Sequence, residues 1–66
     1  MIIYKDILRK LKEAGYDTYV IRNKKLLSES TLQHIRQNQP INLKSIDTIC
    51  NLLDCKIEDI IEFRKD

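Results

Sequence analysis

Residues that interrupt helices are rare in this chain, and that rarity restricts what it can fold into. Its 66 residues include one glycine, Gly15, and one proline, Pro40. Leu, Ile, Lys and Glu, which are common in folded helical proteins, supply much of the remainder. A chain of this length forms one domain with a small core and little volume for a deep substrate pocket. The sequence therefore predicts an all-α fold of four to five helices, in a single domain over residues 1–66.

Apolar residues recur at helical spacing in the first part of the chain. They predict a first helix over residues 4–14, which Gly15 ends by adopting a left-handed conformation. A second helix is predicted to begin at Asp17 or Thr18, either of which can cap it, and to run to about Lys25. Ile21 is its clearest core residue.

A third helix is predicted to begin after Ser28, which is a good cap. At 100° per residue, Leu32 and Ile35 lie close together on its inward face. Residues 37–42 are predicted to form a loop, because Pro40 forces the residue before it into extended geometry.

Asn42 is predicted to cap a fourth helix over residues 43–53. Its inward side chains are predicted to be Leu43, Ile46, Ile49, Cys50 and Leu53. A short fifth helix is predicted over residues 57–60. Alternating apolar residues at the two ends of the chain, residues 1–5 and 61–66, predict a short antiparallel β-ribbon.

Residues 18–37 resemble the helix-turn-helix unit of the lambda-repressor-like (Cro-like, XRE-type) DNA-binding domains. The match is one of residue types, at Ile21, at the pair Leu27–Ser28, at the stretch 28–32, and at Leu32 and Ile35. The fourth and fifth predicted helices also resemble those of this superfamily. The whole chain is similar to very small bacterial or phage transcriptional regulators.

Two positions depart from the family's pattern. The motif has a small residue where Arg22 stands, since its two helices cross closely there. It has glycine where Leu26 stands, because that position needs a positive φ. Either the turn is remodelled, with Asn23 or Lys25 shifting the register, or the helices cross at a wider distance.

The resemblance implies that the third helix enters the major groove of DNA, and helical phase turns a polar face of that helix outward. Gln33 can pair with adenine and Glu29 can accept from the cytosine amino group. The expected base contacts are Glu29, Ser30, Gln33, His34 and Gln37. The expected phosphate contacts are Thr18, Ser28, Arg36, Asn38, Asn42 and Lys44.

These features predict a small transcriptional regulator that binds double-stranded DNA sequence-specifically, with repression as the expected effect. One recognition helix reads about 3–5 base pairs, so a homodimer on a two-fold site is expected. The alternative is a protein-interaction module on the same fold, such as an antitoxin or an antirepressor. Glu29 on the recognition face and a net charge of only +2 favour that alternative.

Charge is unevenly spread, since residues 1–27 hold seven Lys or Arg against three Asp or Glu, whereas residues 28–66 hold five against seven.

An enzyme is not expected, because the single glycine rules out a phosphate loop and His34 has no triad partners. Two cysteines and one histidine fall short of a zinc site, so neither a metal nor another cofactor is expected. The sequence has no signal-peptide core and no apolar run long enough to cross a membrane, so the chain is expected in the cytoplasm. DNA binding would associate it with the nucleoid.

Overall fold

The computed structural model describes residues 1–65 as four helices and a two-stranded sheet. In chain order the elements are β1 (Ile2–Tyr4), α1 (Ile7–Glu13), α2 (Thr18–Asn23), α3 (Glu29–Arg36), α4 (Leu43–Leu53), a 3₁₀ turn (Ile57–Asp59) and β2 (Ile61–Phe63). This confirms the predicted all-α architecture with a terminal ribbon. None of these helices combines the length and the apolar character that a membrane crossing requires.

The two ends of the chain pair as antiparallel strands, as the alternating apolar residues predict. Ile2 lies opposite Phe63, Ile3 opposite Glu62, and Tyr4 opposite Ile61. Asp66, the last residue of the predicted strand, lies outside the described residues. Since side chains of alternate residues share a face, Tyr4 and Ile61 point to the same side of the ribbon, and both are half-buried.

The first helix begins later than predicted, because Tyr4 belongs to β1. The Lys5 N–H continues the pairing by donating to the Ile60 carbonyl at 2.8 Å, and Asp6 then adopts φ 51°. This left-handed residue turns the chain from the strand into α1. The fifth helix is reduced to the 3₁₀ turn.

Each of the helices α1–α4 ends in the same arrangement. A residue with positive φ follows the helix, namely Gly15, Lys25, Asn38 or Asp54. The N–H of the next residue then donates to the carbonyl five residues earlier, from Tyr16 to Leu11, Leu26 to Ile21, Gln39 to His34 and Cys55 to Cys50. This is the Schellman motif, which satisfies the last carbonyls of a helix.

Side chains cap three of the helices at their start. The Asp17 carboxylate accepts from the Val20 N–H at 2.9 Å, so Asp17 rather than Thr18 caps α2. Ser28 accepts from the Thr31 N–H at 3.1 Å, and Asn42 accepts from the Ser45 N–H at 2.8 Å. The predicted caps of α3 and α4 are therefore confirmed.

One core brings the helices and the end of the chain together. Its buried residues are Ile7, Leu11, Ile21, Leu27, Leu32, Ile35, Ile49 and Ile60. The inward prediction for Leu43 is wrong, since that side chain is 79% exposed. At 100° per residue, Leu43 lies about 120° around α4 from Ile49, which is fully buried.

Candidate nucleic-acid interface

Helix α3 is held by its apolar side and presents its polar side to solvent. Leu32 and Ile35 are 0% and 7% exposed. Four of the predicted base-contact residues are exposed, namely Glu29, Ser30, Gln33 and Gln37. Gln37 follows the last helical residue. The exposed side chains are polar, and such groups hydrogen-bond to base edges.

His34, the fifth predicted base contact, is half-buried. The Gln39 N–H donates to the His34 backbone carbonyl at 2.7 Å. Because it is half-buried, His34 offers less free surface than the exposed Ser30 and Gln33.

The turn between α2 and α3 is remodelled by one residue relative to the family's pattern. Lys25 adopts the left-handed conformation, with φ 53°, in place of Leu26. Leu26 is half-buried and packs against the core. A side chain in this conformation costs about 1–2 kcal/mol. The alternative in which Lys25 shifts the register is confirmed.

Arg22 of α2 is exposed and forms an ion pair with Glu29 of α3. Its Nη2 donates to Glu29 Oε2 at 3.2 Å, and its Nε contacts the second carboxylate oxygen. The two side chains are 52% and 57% exposed. The pair places a positive charge beside the carboxylate on the recognition face.

Three predicted phosphate-contact residues lie together beside the start of α3. Ser28, Asn42 and Lys44 line one shallow depression between α3 and α4. The Ser28 and Asn42 side chains cap their helices, and Lys44 is exposed. The structure thus joins two helix starts and one lysine on the same surface.

Two more predicted residues lie at the other end of α3. Arg36 is exposed and lines a depression against the start of α1. The Asn38 side chain is engaged by β1, because its Oδ1 accepts from the Tyr4 N–H at 3.2 Å and its Nδ2 donates to the Ile2 carbonyl at 3.1 Å. Asn38 therefore ties the end of α3 to the ribbon.

Tyr4 adds a second tie, since its hydroxyl donates to the Gln39 carbonyl. Burial raises the pKa of the Tyr4 phenol, and a hydrogen bond with the Ile41 backbone partly opposes that rise. Tyr4 and Asn38 together tie the start of the loop between α3 and α4 to β1.

Thr18 lies apart from these groups, half-buried at the start of α2. It lines a depression with Arg9 and Lys12 of α1, which were not among the predicted contacts. Arg9 is paired with Asp6 at 3.2 Å and with Glu13 at 3.9 Å, whereas Lys12 is exposed. The excess of Lys and Arg over Asp and Glu in residues 1–27 was the sequence signal that pointed to Arg9 and Lys12.

Within residues 1–65, no cluster of three or more His, Cys, Asp or Glu side chains is arranged to hold a metal ion.

Two helices joined by a tight turn, the second exposing a polar face, define a helix-turn-helix protein. The family model of the Cro/C1-type HTH DNA-binding domain matches residues 6–66, and the chain belongs to this family. It is a family of DNA-binding regulators and not an enzyme family. No curated protein and no solved structure matches the chain.

Proposed function

We propose that the protein binds double-stranded DNA sequence-specifically by placing α3 in the major groove, and that it acts as a small transcriptional repressor. The observation that carries the proposal is the division of α3 into an apolar side, anchored by Leu32 and Ile35, and an exposed polar side. The major groove admits an α-helix, and its base edges offer distinct patterns of donors and acceptors.

Gln33 is the central base contact in this proposal. It lies about 140° around α3 from Ser28, well away from Leu32, and it is exposed. Its amide can donate to adenine N7 and accept from the adenine amino group at once. Ser30, Gln37 and part of His34 supplement it, while Glu29 can accept from cytosine through the carboxylate sites that Arg22 leaves open.

Phosphate contacts are proposed at both ends of α3. Ser28, Asn42 and Lys44 stand at its start and Arg36 at its end, so the two walls of the groove would be held by different groups. Contacts of this kind fix position and carry little sequence information. Thr18 would contact phosphate from the side of α2.

Asn38 has a different part in this proposal from the other phosphate-contact residues. Its amide already bonds to two backbone groups of β1, so we expect its main part to be positioning the loop. A direct phosphate contact would have to share or displace those bonds.

Dimerisation completes the proposal. Because one recognition helix covers too few base pairs for useful specificity, two copies would read two half-sites about 34 Å apart, one turn of DNA. Occupying such an operator would exclude other proteins from it, which is the basis of the proposed repression at the nucleoid.

The test is selection of bound duplexes from a random library, followed by affinity measurements at several salt concentrations. The proposal predicts an enriched, two-fold symmetric motif and a steep loss of affinity with salt, because phosphate contacts release counterions. The triple variant Ser30→Ala/Gln33→Ala/Gln37→Ala should lose the motif while keeping affinity for random DNA. Absence of enrichment together with negligible affinity at physiological salt would instead favour the protein-interaction module.

A further inference from the structure

The end of α4 brings the two cysteines of the chain together. Asp54 adopts φ 51°, the Asp54 N–H donates to the Asn51 carbonyl at 3.4 Å, and the Cys55 N–H donates to the Cys50 carbonyl at 3.1 Å. In a Schellman motif the side chains of the two residues that stand five positions apart, here Cys50 and Cys55, frequently pack against each other.

The equivalent positions in other helices show what this pair replaces. At the end of α1 they hold Leu11 and Tyr16, at the end of α2 Ile21 and Leu26, and at the end of α3 the polar pair His34 and Gln39. The side chains of the α1 and α2 pairs pack in or against the core, as do those of Cys50 and Cys55. The α4 pair therefore fills an apolar position, but with two thiols.

Both cysteines are free and half-buried, and both pack against the core. Burial is the largest cause that raises the pKa of Cys50, and the nearby Cys55 side chain raises it further. Asp47 on α4 and Asp59 in the 3₁₀ turn act in the same direction. The influence of Cys55 agrees with the side-chain contact that the Schellman motif favours between these two positions.

The backbone separation also suits a covalent bond. A disulfide needs Cα atoms about 4.4–6.8 Å apart. Cys50 and Cys55 share a backbone N–H···O=C bond of 3.1 Å, which holds their Cα atoms no more than about 7 Å apart, close to the upper end of this range.

We propose that Cys50 and Cys55 are a redox modification site that forms a reversible intramolecular disulfide when the protein meets a peroxide. Because the raised pKa of Cys50 disfavours its thiolate, the Cys55 thiolate attacks the peroxide oxygen and becomes a sulfenic acid. The other peroxide oxygen leaves as hydroxide and takes up the proton that the Cys55 thiol released, which gives water. The second thiol then attacks the sulfenic sulfur, and its proton leaves with the hydroxyl group as another water. Two thiols and one hydrogen peroxide thus give one disulfide and two waters, and a dithiol reductant reverses the change.

The bond would fasten the end of α4 to the segment that leads into the 3₁₀ turn and β2. The closed loop is short, so a rise in melting temperature of roughly 5–10 °C is expected. Asn42 and Lys44 lie at the opposite end of α4, about 9–12 Å along the helix from Cys50. Oxidation should therefore stabilise the fold and change DNA affinity less than about twofold.

The experiment treats the full chain with hydrogen peroxide at low protein concentration and then alkylates and digests it with trypsin. Both cysteines fall in the one peptide spanning residues 45–56. The proposal predicts that this peptide becomes two hydrogen masses lighter and resists alkylation, and that the melting temperature rises until dithiothreitol is added.

Cys50→Ala and Cys55→Ala are the matched controls, and neither should gain stability with peroxide. Disulfide-linked dimers alone, sulfinic acid at one cysteine, or two thiols that stay alkylatable while the urea-unfolded chain reacts would each overturn the proposal. The result does not depend on whether the protein binds DNA.

Discussion

Arg22 in α2 and Glu29 in the first turn of α3 form an ion pair across the helix-turn-helix unit, with Nη2 and Oε2 separated by 3.2 Å. The small residue that the family has at the position of Arg22 would leave Glu29 without this partner. Because both side chains are more than half exposed, solvent screens their attraction. A double-mutant cycle with Arg22→Ala and Glu29→Ala, followed by urea unfolding, should give a coupling free energy below about 1 kcal/mol. A coupling above about 2 kcal/mol would mean that the pair is a main support of the turn.

The core can be tested with buried and exposed residues of similar size. Leu32→Ala and Ile49→Ala each empty a site that is 0% exposed, and should lower the free energy of unfolding by about 2–5 kcal/mol. Leu43→Ala is the matched control, because that side chain is 79% exposed, and it should change stability by less than about 0.5 kcal/mol. Equal melting temperatures for all three variants would show that the helix phases are wrong.

Asn38 combines two roles that substitution can separate. Asn38→Gly keeps the backbone at φ 55° but removes both hydrogen bonds to β1, so a loss of about 1–2 kcal/mol is expected. Asn38→Ala removes the same bonds and adds left-handed strain, for a further loss of about 1 kcal/mol. Thermal melts of both variants check this order. A glycine variant as stable as the parent would show that the ties to the ribbon contribute nothing.

Stability should fall in alkaline solution through Tyr4. Burial raises the pKa of its phenol above 10.0, so the folded protein holds this proton more tightly than the unfolded chain does. The resulting stability is complete below about pH 10 and is lost as pH rises through the folded pKa. Tyr4→Phe cannot titrate, so its unfolding free energy should fall less between pH 9 and about pH 11 than that of the parent. Parallel pH profiles would contradict the raised pKa.

Local signals in the sequence predicted the parts of the fold that local contacts determine. Ser28 and Asn42 cap their helices because a cap bonds to a residue three positions away. Lys25 could not be identified with certainty as the left-handed residue, since lysine has no preference for that conformation. Leu43 fits the apolar pattern of α4 in the sequence, but it is the first residue of the helix and is out of phase with Ile49, so it lies outward.

The sequence did not predict contacts between residues that are far apart in the chain. The hydrogen bond between Tyr4 and Asn38 joins residues 34 positions apart, and Tyr4 suits a helix as well as a strand. The exposed face of α3 was predictable from helical phase, whereas His34, which the same phase places outward, is half-buried.

In the proposed complex, α3 contacts bases while the groups at its ends contact phosphates. The most direct test compares how three variants bind to the selected site and to random duplex DNA. Gln33→Ala should weaken binding to the selected site by about 1–3 kcal/mol, relax preference at one base pair and leave binding to random DNA unchanged. Arg36→Ala should weaken both about equally and lower the slope of log affinity against log salt by about one unit. Lys56→Ala, which removes an exposed cation beyond the far end of α4, should change neither. Equal, sequence-independent losses from Gln33→Ala and Arg36→Ala would contradict the account.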